Sequence, residues 1–347
     1  MKKSLLLFLI CIFTANSQTV TDYITSISPP SGIEFDNQGN LFIGDYLNYK
    51  IIKVDLLGNK STITNSLEGS PNQITLDSNN NIWTANEFFT DVTKVTQAGV
   101  RTTYSASGNA FGIAIDALGS IYFSENGPGN IKKIDPISGA ITIFKSGLTR
   151  PRGLTFDKNG DLLVACGGTA NKIIKISPTG SITDIMTQIN SPYYLTLNTN
   201  GDLYVSTGDG GSIYYLKNGS TDGSQTIYSS GLGSAYGIKI RNNELYVARQ
   251  GSGLNKISKI SLPTLGLDDF TNQQNELVVY PNPSSDYIYF KNININLQKA
   301  EIFDMTGKKI KSYNTTEIKD DKLNISDLQA GIYILKIGTI SKKITIK

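Results

Sequence analysis

The residue types that could do chemistry recur along this chain at intervals of 39 to 43 residues. The first recurring set consists of Ser31, Asn72, Phe111, Arg152, Tyr193 and Tyr236. Aromatic rings stack on flat or sugar-like surfaces, and guanidinium and hydroxyl groups add hydrogen bonds. Because the set offers one amide and no carboxylate, it is better suited to holding a ligand than to catalysis.

A second set recurs later in the same period and consists of Asp45, Asn86, Glu125, Cys166, Thr207 and Arg249. The segments that follow these positions add Tyr46, Glu87, Phe88, Phe89 and Asp209. Asp45 and Glu125 could form an acid/base pair for glycoside hydrolysis, but nothing in the sequence fixes their separation. Cys166 as a nucleophile would need a neighbouring base, and we interpret it as an inert buried thiol.

The chain contains no histidine. Histidine is the usual general base near neutral pH and the commonest zinc ligand. Its absence excludes histidine-dependent catalytic triads and zinc-water hydrolysis at histidine sites. We therefore predict no catalytic residue, no metal ligand and no cofactor, and we leave enzymatic activity open.

Both sets lie on short segments of a sixfold repeat between Pro30 and Ser261. Clear copies read PSGIEFDNQGNLFIG from Pro30, AFGIAIDALGSIYFS from Ala110 and PRGLTFDKNGDLLVA from Pro151. Alternating apolar residues between Gly, Asn and Asp turns predict four β-strands in each copy. A period of about forty residues built from strands is typical of a β-propeller. The sixth copy ends after its third strand, and we predict that residues 20–25 supply its outer strand and close the ring.

In such a ring, the two recurring sets are expected at one face, around the mouth of the central channel. We predict a ligand-binding mouth formed by Asn72, Phe111, Arg152, Tyr193, Tyr236, Asp45, Glu125 and Arg249. The sequence leaves open the alternative that several of these aromatic residues only pack between neighbouring blades.

The repeats resemble the NHL family, whose Asp-x-x-Asn-x-Arg-Ile step is matched by residues 45–51 with Lys50 in place of arginine. Residues 129–136 are similar to blades of the streptogramin B lyases, but that family relies on histidine. The gluconolactonase group holds a divalent metal with Glu, Asn and Asp, and Pro71-Asn72 matches its Pro-Asn motif. This resemblance implies an alternative function, a gluconolactonase-like hydrolase or lactonase with an altered metal site.

The C-terminal residues 277–347 carry four motifs in a fixed order: VYPNPS from Val279, AEIFDMTGK from Ala300, ISDLQAGIY from Ile325, and the terminal KKITIK from Lys342. Together they resemble the type A C-terminal sorting domain of the type IX secretion system, preceded by a linker over residues 262–276. Alternating strands between Gly and Asn turns predict a small antiparallel β-sandwich. A generic Ig-like adhesion module is the alternative. The resemblance implies a Bacteroidota-type host and, as partners, the type IX translocon and its tail-processing machinery.

Residues 1–17 read as a signal peptide, with Lys2 and Lys3 before an apolar run and small residues before Gln18. No segment is long enough to predict a transmembrane helix. The net charge of +3 is not concentrated in a Lys/Arg stripe, so we predict no nucleic-acid partner. After export the chain would hold only one cysteine and no internal disulfide, and we expect a monomer.

The sequence thus predicts an all-β protein, a six-bladed β-propeller over residues 18–261 followed by a small antiparallel β-sandwich. We expect it to be secreted or displayed on the outer cell surface, where its mouth binds a carbohydrate, peptide or protein of unknown identity. A structural surface component without a small ligand is a further reading that the sequence leaves open.

Overall fold

The computed structural model describes residues 18–89, 91–220, 224–251, 253–262, 278–291, 299–314, 318, 322–337 and 340–347. Every regular element in these residues is a β-strand. The predicted signal peptide and residues 263–276 of the predicted linker lie outside the described residues. The chain divides into two compact units, Met1–Leu262 and Pro263–Lys347.

The first unit contains six four-stranded antiparallel sheets, each of which forms one propeller blade. Blades 1 to 3 consist of β2 (Pro30–Phe35), β3 (Leu41–Asp45), β4 (Lys50–Val54) and β5 (Lys60–Thr64); β6 (Ser70–Leu76), β7 (Ile82–Glu87), β8 (Asp91–Val95) and β9 (Arg101–Ser105); and β10 (Ala110–Ile115), β11 (Ile121–Glu125), β12 (Asn130–Ile134) and β13 (Ile141–Lys145). The predicted all-β, six-bladed architecture is confirmed.

Blades 4 to 6 repeat this order with one exception in the last blade. Their strands are β14 (Pro151–Phe156), β15 (Leu162–Cys166), β16 (Lys172–Ile176) and β17 (Ile182–Met186); β18 (Leu195–Leu197), β19 (Leu203–Ser206), β20 (Ile213–Leu216) and β21 (Thr226–Ser229); and β22 (Ser234–Arg241), β23 (Glu244–Gln250), β24 (Lys256–Ser261) and β1 (Val20–Ile24).

The N-terminal strand β1 completes blade 6 as its outermost strand. It pairs antiparallel with β24, with Val20 opposite Ile260 and Ile24 opposite Ile257. Ile24 is buried in a core that also contains Ile257 and Tyr246. The predicted closure of the ring by residues from the N-terminus is therefore confirmed.

The propeller core lies between neighbouring blades, where apolar residues of adjacent sheets interdigitate. Trp83 of blade 2, for example, shares one cluster with Ile113 and Phe123 of blade 3. The turns that follow the inner strands of blades 1 to 4 are held by their own aspartates, and in blade 5 Asn198 takes this place. In blade 1, Asp36 Oδ1 accepts hydrogen bonds from the backbone N–H groups of Gln38, at 3.0 Å, and Asn40, at 2.8 Å.

Four of the six inner strands carry a glycine where they approach the next blade. A methyl group at Gly32 would lie 2.2 Å from the carbonyl oxygen of Asn72, and one at Gly112 would lie 2.0 Å from that of Arg152. No side chain fits at such distances, so close packing of the ring requires glycine there. The equivalent positions in blades 2 and 5 are Gln73 and Tyr194, and both side chains reach across the axis to other blades.

The described residues of the second unit form two antiparallel sheets, and the predicted small β-sandwich is confirmed by their topology. One sheet has the order β25 (Val278–Tyr280), β26 (Tyr287–Lys291) and β29 (Lys322–Asn324); the other has β28 (Lys309–Asn314), β27 (Lys299–Asp304), β30 (Gly331–Ile337) and β31 (Ile340–Ile346). Residues of both sheets share one core that includes Phe290, Ile302 and Leu335.

Candidate ligand-binding site

Residues from all six blades meet at one end of the inner strands and form what we call the mouth cluster. Its members are Tyr46, Asn72, Glu87, Phe111, Arg152, Tyr193, Tyr194, Asp209 and Tyr236. The mouth cluster includes five of the predicted site residues, those of the first recurring set.

The floor of the mouth cluster is formed around Asn72. Its Oδ1 accepts a hydrogen bond from the hydroxyl of Tyr194, which comes from the opposite side of the ring. Its Nδ2 donates to Oε2 of Glu87 at 3.2 Å, and the hydroxyl of Tyr46 donates to the same oxygen at 3.3 Å. These bonds fix a carboxylate beside the floor with one oxygen engaged by two donors.

Arg152 forms one wall, and its guanidinium lies near two aromatic rings. Its Cζ lies 4.1 Å from the ring centroid of Tyr193 and 5.9 Å from that of Phe111. A methyl group at Gly167 would lie 2.8 Å from Cζ, so that glycine leaves the space that the guanidinium needs. Nη1 donates to Ser191 Oγ at 3.0 Å and to the carbonyl of Pro192 at 3.2 Å.

The aromatic members pack edge to face along the rest of the wall. The ring of Tyr193 lies 5.1 Å from that of Tyr236 at an interplanar angle of 89°, and 5.4 Å from that of Phe111. The hydroxyl of Tyr236 donates to Oδ1 of Asp209 at 2.8 Å. Phe111 is only 3 % exposed, so it acts mainly as packing between blades, whereas Tyr193 and Tyr236 remain half-buried.

Burial shifts the titration of the charged members of the mouth cluster. It raises the pKa of Glu87 above its ordinary value, although the Tyr46 hydrogen bond and the charge of Arg152 act in the opposite direction. Burial also lowers the pKa of Arg152 and raises that of Tyr194 well above its usual range. The mouth therefore holds charged groups that are less hydrated than those of an ordinary surface.

The three predicted site residues of the second set are engaged elsewhere. Asp45 accepts hydrogen bonds from the backbone and side chain of Asn48, within its own loop. Glu125 is fully buried and pairs with Lys132 at 2.8 Å. Arg249 donates from Nε to the carbonyl of Leu232 at 2.7 Å. The structure gives these residues contacts that stabilise blades, and it does not link them to the mouth cluster by a hydrogen bond.

An exposed apolar shelf adjoins the mouth cluster on the side of blades 1 and 2. It consists of Leu47, Tyr49, Phe88 and Phe89. Phe88 is 65 % exposed and its ring lies 6.2 Å from that of Tyr46. Its φ of 70° is in the left-handed region, which a bulky residue rarely adopts, and its backbone N–H donates to Oδ1 of Asn109 at 2.7 Å. Strained backbone of this kind is concentrated at functional sites.

The channel below the mouth is blocked by Gln73. Its Nε2 donates to the carbonyl of Leu154 at 2.8 Å, and its Oε1 accepts from the backbone N–H groups of Ile113 and Leu154. A cavity of about 180 Å³ lies along the inner strands, lined also by Glu34 and Lys239, whose ion pair spans 2.7 Å. The mouth is therefore a shallow site with a closed floor.

A larger groove of about 530 Å³ runs between blades 4 and 5 and is lined by turn residues such as Asn159 and Asn218. It contains no member of the mouth cluster. In the part of the chain that the structure describes, no group of three or more Asp, Glu or Cys residues is placed to hold a metal ion. Burial raises the pKa of the Cys166 thiol to about 12, which keeps it protonated and unreactive.

Sequence reasoning missed Tyr194, although it forms the floor together with Asn72. Tyr194 occupies the inner-strand position that is glycine in four blades, so this departure from the repeat was the available signal. Tyr46, Glu87, Phe88, Phe89 and Asp209 were recognised as neighbours of the mouth, but their partners could not be read from spacing.

Residues 278–347 match the family model of the secretion system C-terminal sorting domain. Such a domain implies handling by the type IX secretion system and a secreted or cell-surface location. No helix in the described part of the chain is long and apolar enough to cross a membrane. A search among curated proteins found no match.

Several solved structures are similar to this chain at low sequence identity. A catalytically inactive virginiamycin B lyase from Staphylococcus aureus with quinupristin is 21 % identical, with a TM-score of 0.56 over 69 % of this chain and 82 % of that chain. A gluconolactonase from Xanthomonas campestris is 13 % identical, with a TM-score of 0.61 over 70 % and 89 % of the two chains. Likeness at this level shows the fold alone. The chain therefore combines a six-bladed β-propeller with a C-terminal region that matches a secretion sorting domain.

Proposed function

We propose that this chain is a secreted or cell-surface binding protein whose propeller mouth holds a carbohydrate. The observation that carries the proposal is the mouth cluster, which places two carboxylates, an arginine and tyrosine rings beside the exposed apolar shelf. Carboxylates accept hydrogen bonds from neighbouring sugar hydroxyls, and aromatic faces stack on the apolar faces of sugar rings. A shallow site with a closed floor suits one face of an extended saccharide.

Export of this propeller out of the cell is consistent with the proposed binding role. We further propose that export begins with a signal peptide and ends with recognition of the tail by the type IX translocon and its processing machinery. An extracellular chain of this kind meets polysaccharides directly. A protein or peptide ligand remains the competing ligand class, and a purely structural surface role is the competing function.

Binding of oligosaccharides to the full chain, measured by isothermal titration calorimetry after a glycan-array screen, tests the proposal. We expect Phe88→Ala to weaken binding about five-fold, because one stacking contact contributes about 1 kcal/mol. Leu118→Ala is the matched control, since Leu118 is also an exposed apolar side chain but lies in a turn at the opposite end of its blade. Binding that is unchanged by Phe88→Ala, Tyr193→Ala and Tyr236→Ala would support a structural role instead.

A second candidate is a gluconolactonase-like hydrolase with an altered metal site, in which the carboxylate of Glu87 would be a ligand that a hard cation accepts. Asn72 faces Glu87 with its amide nitrogen, and its Oδ1 accepts from Tyr194, so the amide oxygen becomes a ligand only if that bond is given up. The test is thermal unfolding of the full chain with and without added Ca²⁺ or Zn²⁺. A rise of several degrees that Asn72→Ala abolishes would favour the hydrolase, and an unchanged unfolding temperature would count against it.

A further inference from the structure

Arg152 lies in the wall of the mouth cluster, and its neighbours hold its guanidinium in place. The guanidinium lies over the ring of Tyr193, and a side chain at Gly167 would collide with it. Both of its hydrogen bonds, to Ser191 and to the carbonyl of Pro192, are made by Nη1. The Nε–H group is buried and has no hydrogen-bond partner among the described residues.

The unpaired Nε–H is unusual because Arg152 is only 7 % exposed. Buried polar groups are almost always hydrogen-bonded, and a charged donor without an acceptor is especially costly. Glu87 acts on Arg152 through space, without a hydrogen bond, and burial lowers the pKa of the guanidinium. A bound anion would satisfy the donor and offset the buried positive charge.

The geometry points to a carboxylate as that anion. The Nε edge of an arginine forms a planar fork that matches the two oxygens of a carboxylate. A phosphate or sulfate also accepts hydrogen bonds from arginine. However, the site already contains the carboxylates Glu87 and Asp209, which disfavour a ligand of higher negative charge density.

We propose that the mouth cluster binds an acidic saccharide, a sugar chain that contains uronic acid units, with one carboxylate on Nε of Arg152. This inference rests on the proposed carbohydrate-binding function and names its ligand class. The exposed apolar shelf contacts the neighbouring sugar rings, while Glu87 and Asp209 accept hydrogen bonds from sugar hydroxyl groups. The carboxylate is the feature that selects the ligand.

Calorimetric titration of the full chain with three matched probes tests this inference. The probes are tetragalacturonate, its methyl ester and the neutral galactotetraose. We expect tetragalacturonate to bind about ten-fold more tightly than the other two, because a hydrogen bond to a charged group adds at least that factor. This comparison requires no variant and therefore does not depend on how Arg152 contributes to folding.

A variant then assigns the preference to Arg152. Arg152→Lys retains the positive charge but loses the planar fork, and we expect it to remove the discrimination between acid and ester. Arg241→Lys is the matched control, because Arg241 also stacks on an aromatic ring, Phe35 at 5.3 Å, but belongs to the opposite end of its strand.

The possible outcomes distinguish a wrong carboxylate subsite from a failure of carbohydrate binding itself. If acid and ester bind equally, or a sulfated galactan binds more tightly than tetragalacturonate, the carboxylate subsite is wrong while carbohydrate binding stands. If none of the saccharides binds, the proposed function itself fails. If the preference for the acid survives Arg152→Lys, the subsite lies elsewhere in the mouth.

Discussion

Two groups of buried polar residues lie in this propeller, and they differ in how their charges are satisfied. Glu125 of blade 3 accepts hydrogen bonds from Lys132, Asn130 and the backbone N–H of Ser107. Among the residues that the structure describes, Arg152 in the mouth cluster has a donor without an acceptor, and Glu87 has no cation in direct contact. A buried charge that is fully paired needs no further partner, whereas an unpaired buried donor is a candidate place for a ligand.

The two carboxyl groups also titrate in opposite directions. Burial alone would raise the pKa of Glu125, but hydrogen bonds from Lys132 and Asn130 hold it below the ordinary value. For Glu87 burial outweighs the hydrogen bond from Tyr46, and the pKa is raised. The two pKa values shift in opposite directions because Glu125 has a cationic partner in direct contact and Glu87 is hydrogen-bonded to Tyr46 and Asn72.

The largest effect is expected for Glu125→Ala. Removing this carboxylate leaves Lys132 buried without its partner, and breaking a buried pair costs about 3–5 kcal/mol of the free energy of unfolding. Chemical denaturation followed by circular dichroism measures the loss. The matched control is Asp184→Ala, which breaks an exposed pair with Lys172 of similar length, 2.9 Å, and should cost about 1 kcal/mol or less. If both variants lose the same free energy of unfolding, the buried pair of Glu125 contributes no more to stability than an exposed pair.

An intermediate effect is expected in the pH dependence of stability. The raised pKa of Glu87 gives a contribution that is present below the ordinary value of 4.5 and is lost as the pH rises through the folded-state pKa. The lowered pKa of Glu125 gives a contribution that is present above 4.5 and is lost as the pH falls through its folded-state pKa. The two carboxyl groups should therefore respond to pH with opposite signs.

Melting curves of the protein, Glu87→Gln and Glu125→Gln between about pH 3 and 8 measure this difference. As the pH rises, the stability of the unsubstituted protein relative to Glu87→Gln should fall. Over the same range, its stability relative to Glu125→Gln should increase. Parallel curves for both variants would show that the two environments are electrostatically alike.

The smallest effect is expected for Phe88→Gly. Glycine adopts a φ of 70° without steric strain, so the change should stabilise the fold by about 1 kcal/mol or less while weakening saccharide binding. Phe89→Gly is the control, because Phe89 is also exposed but is not among the residues with positive φ. A fall in melting temperature for Phe88→Gly would mean that the shelf supports the fold.

Much of the fold could be predicted because each blade repeats the same short-range sequence patterns. The turn aspartates, the apolar alternation and the sixfold period all act over a few residues, so a single sequence reveals them. The missing fourth strand of the sixth copy even indicated the role of residues 20–25. Such inferences require no knowledge of which blade contacts which side chain.

The candidate site was harder to predict because its contacts cross the ring. The bond between Asn72 and Tyr194 joins residues 122 positions apart, and no repeat spacing encodes it. The second recurring set shows the same limit, since the period locates Glu125 but does not reveal that Lys132 and Asn130 occupy its oxygens. Position in a repeat predicts burial well and partners poorly.

The sorting domain contrasts with the mouth, because its motifs include both partners of a contact. Asn282 of the YPNP motif donates to the carbonyl of Lys343 at 3.1 Å and accepts from the backbone N–H of Thr345 at 2.7 Å. The first and last motifs therefore contact each other in the folded unit. Their joint presence in the sequence has a direct structural cause.

The pairing of β1 with β24 sets an order of events for the folding of the propeller. Thr21 and Lys259 are partners across 238 residues, so the first strand to be synthesised must wait for the last strand of the ring. Closing so long a loop is slow compared with forming local hairpins. The blades can thus assemble one after another while the ring stays open, and the final joint is made only when both ends of the propeller sequence have arrived in the same compartment.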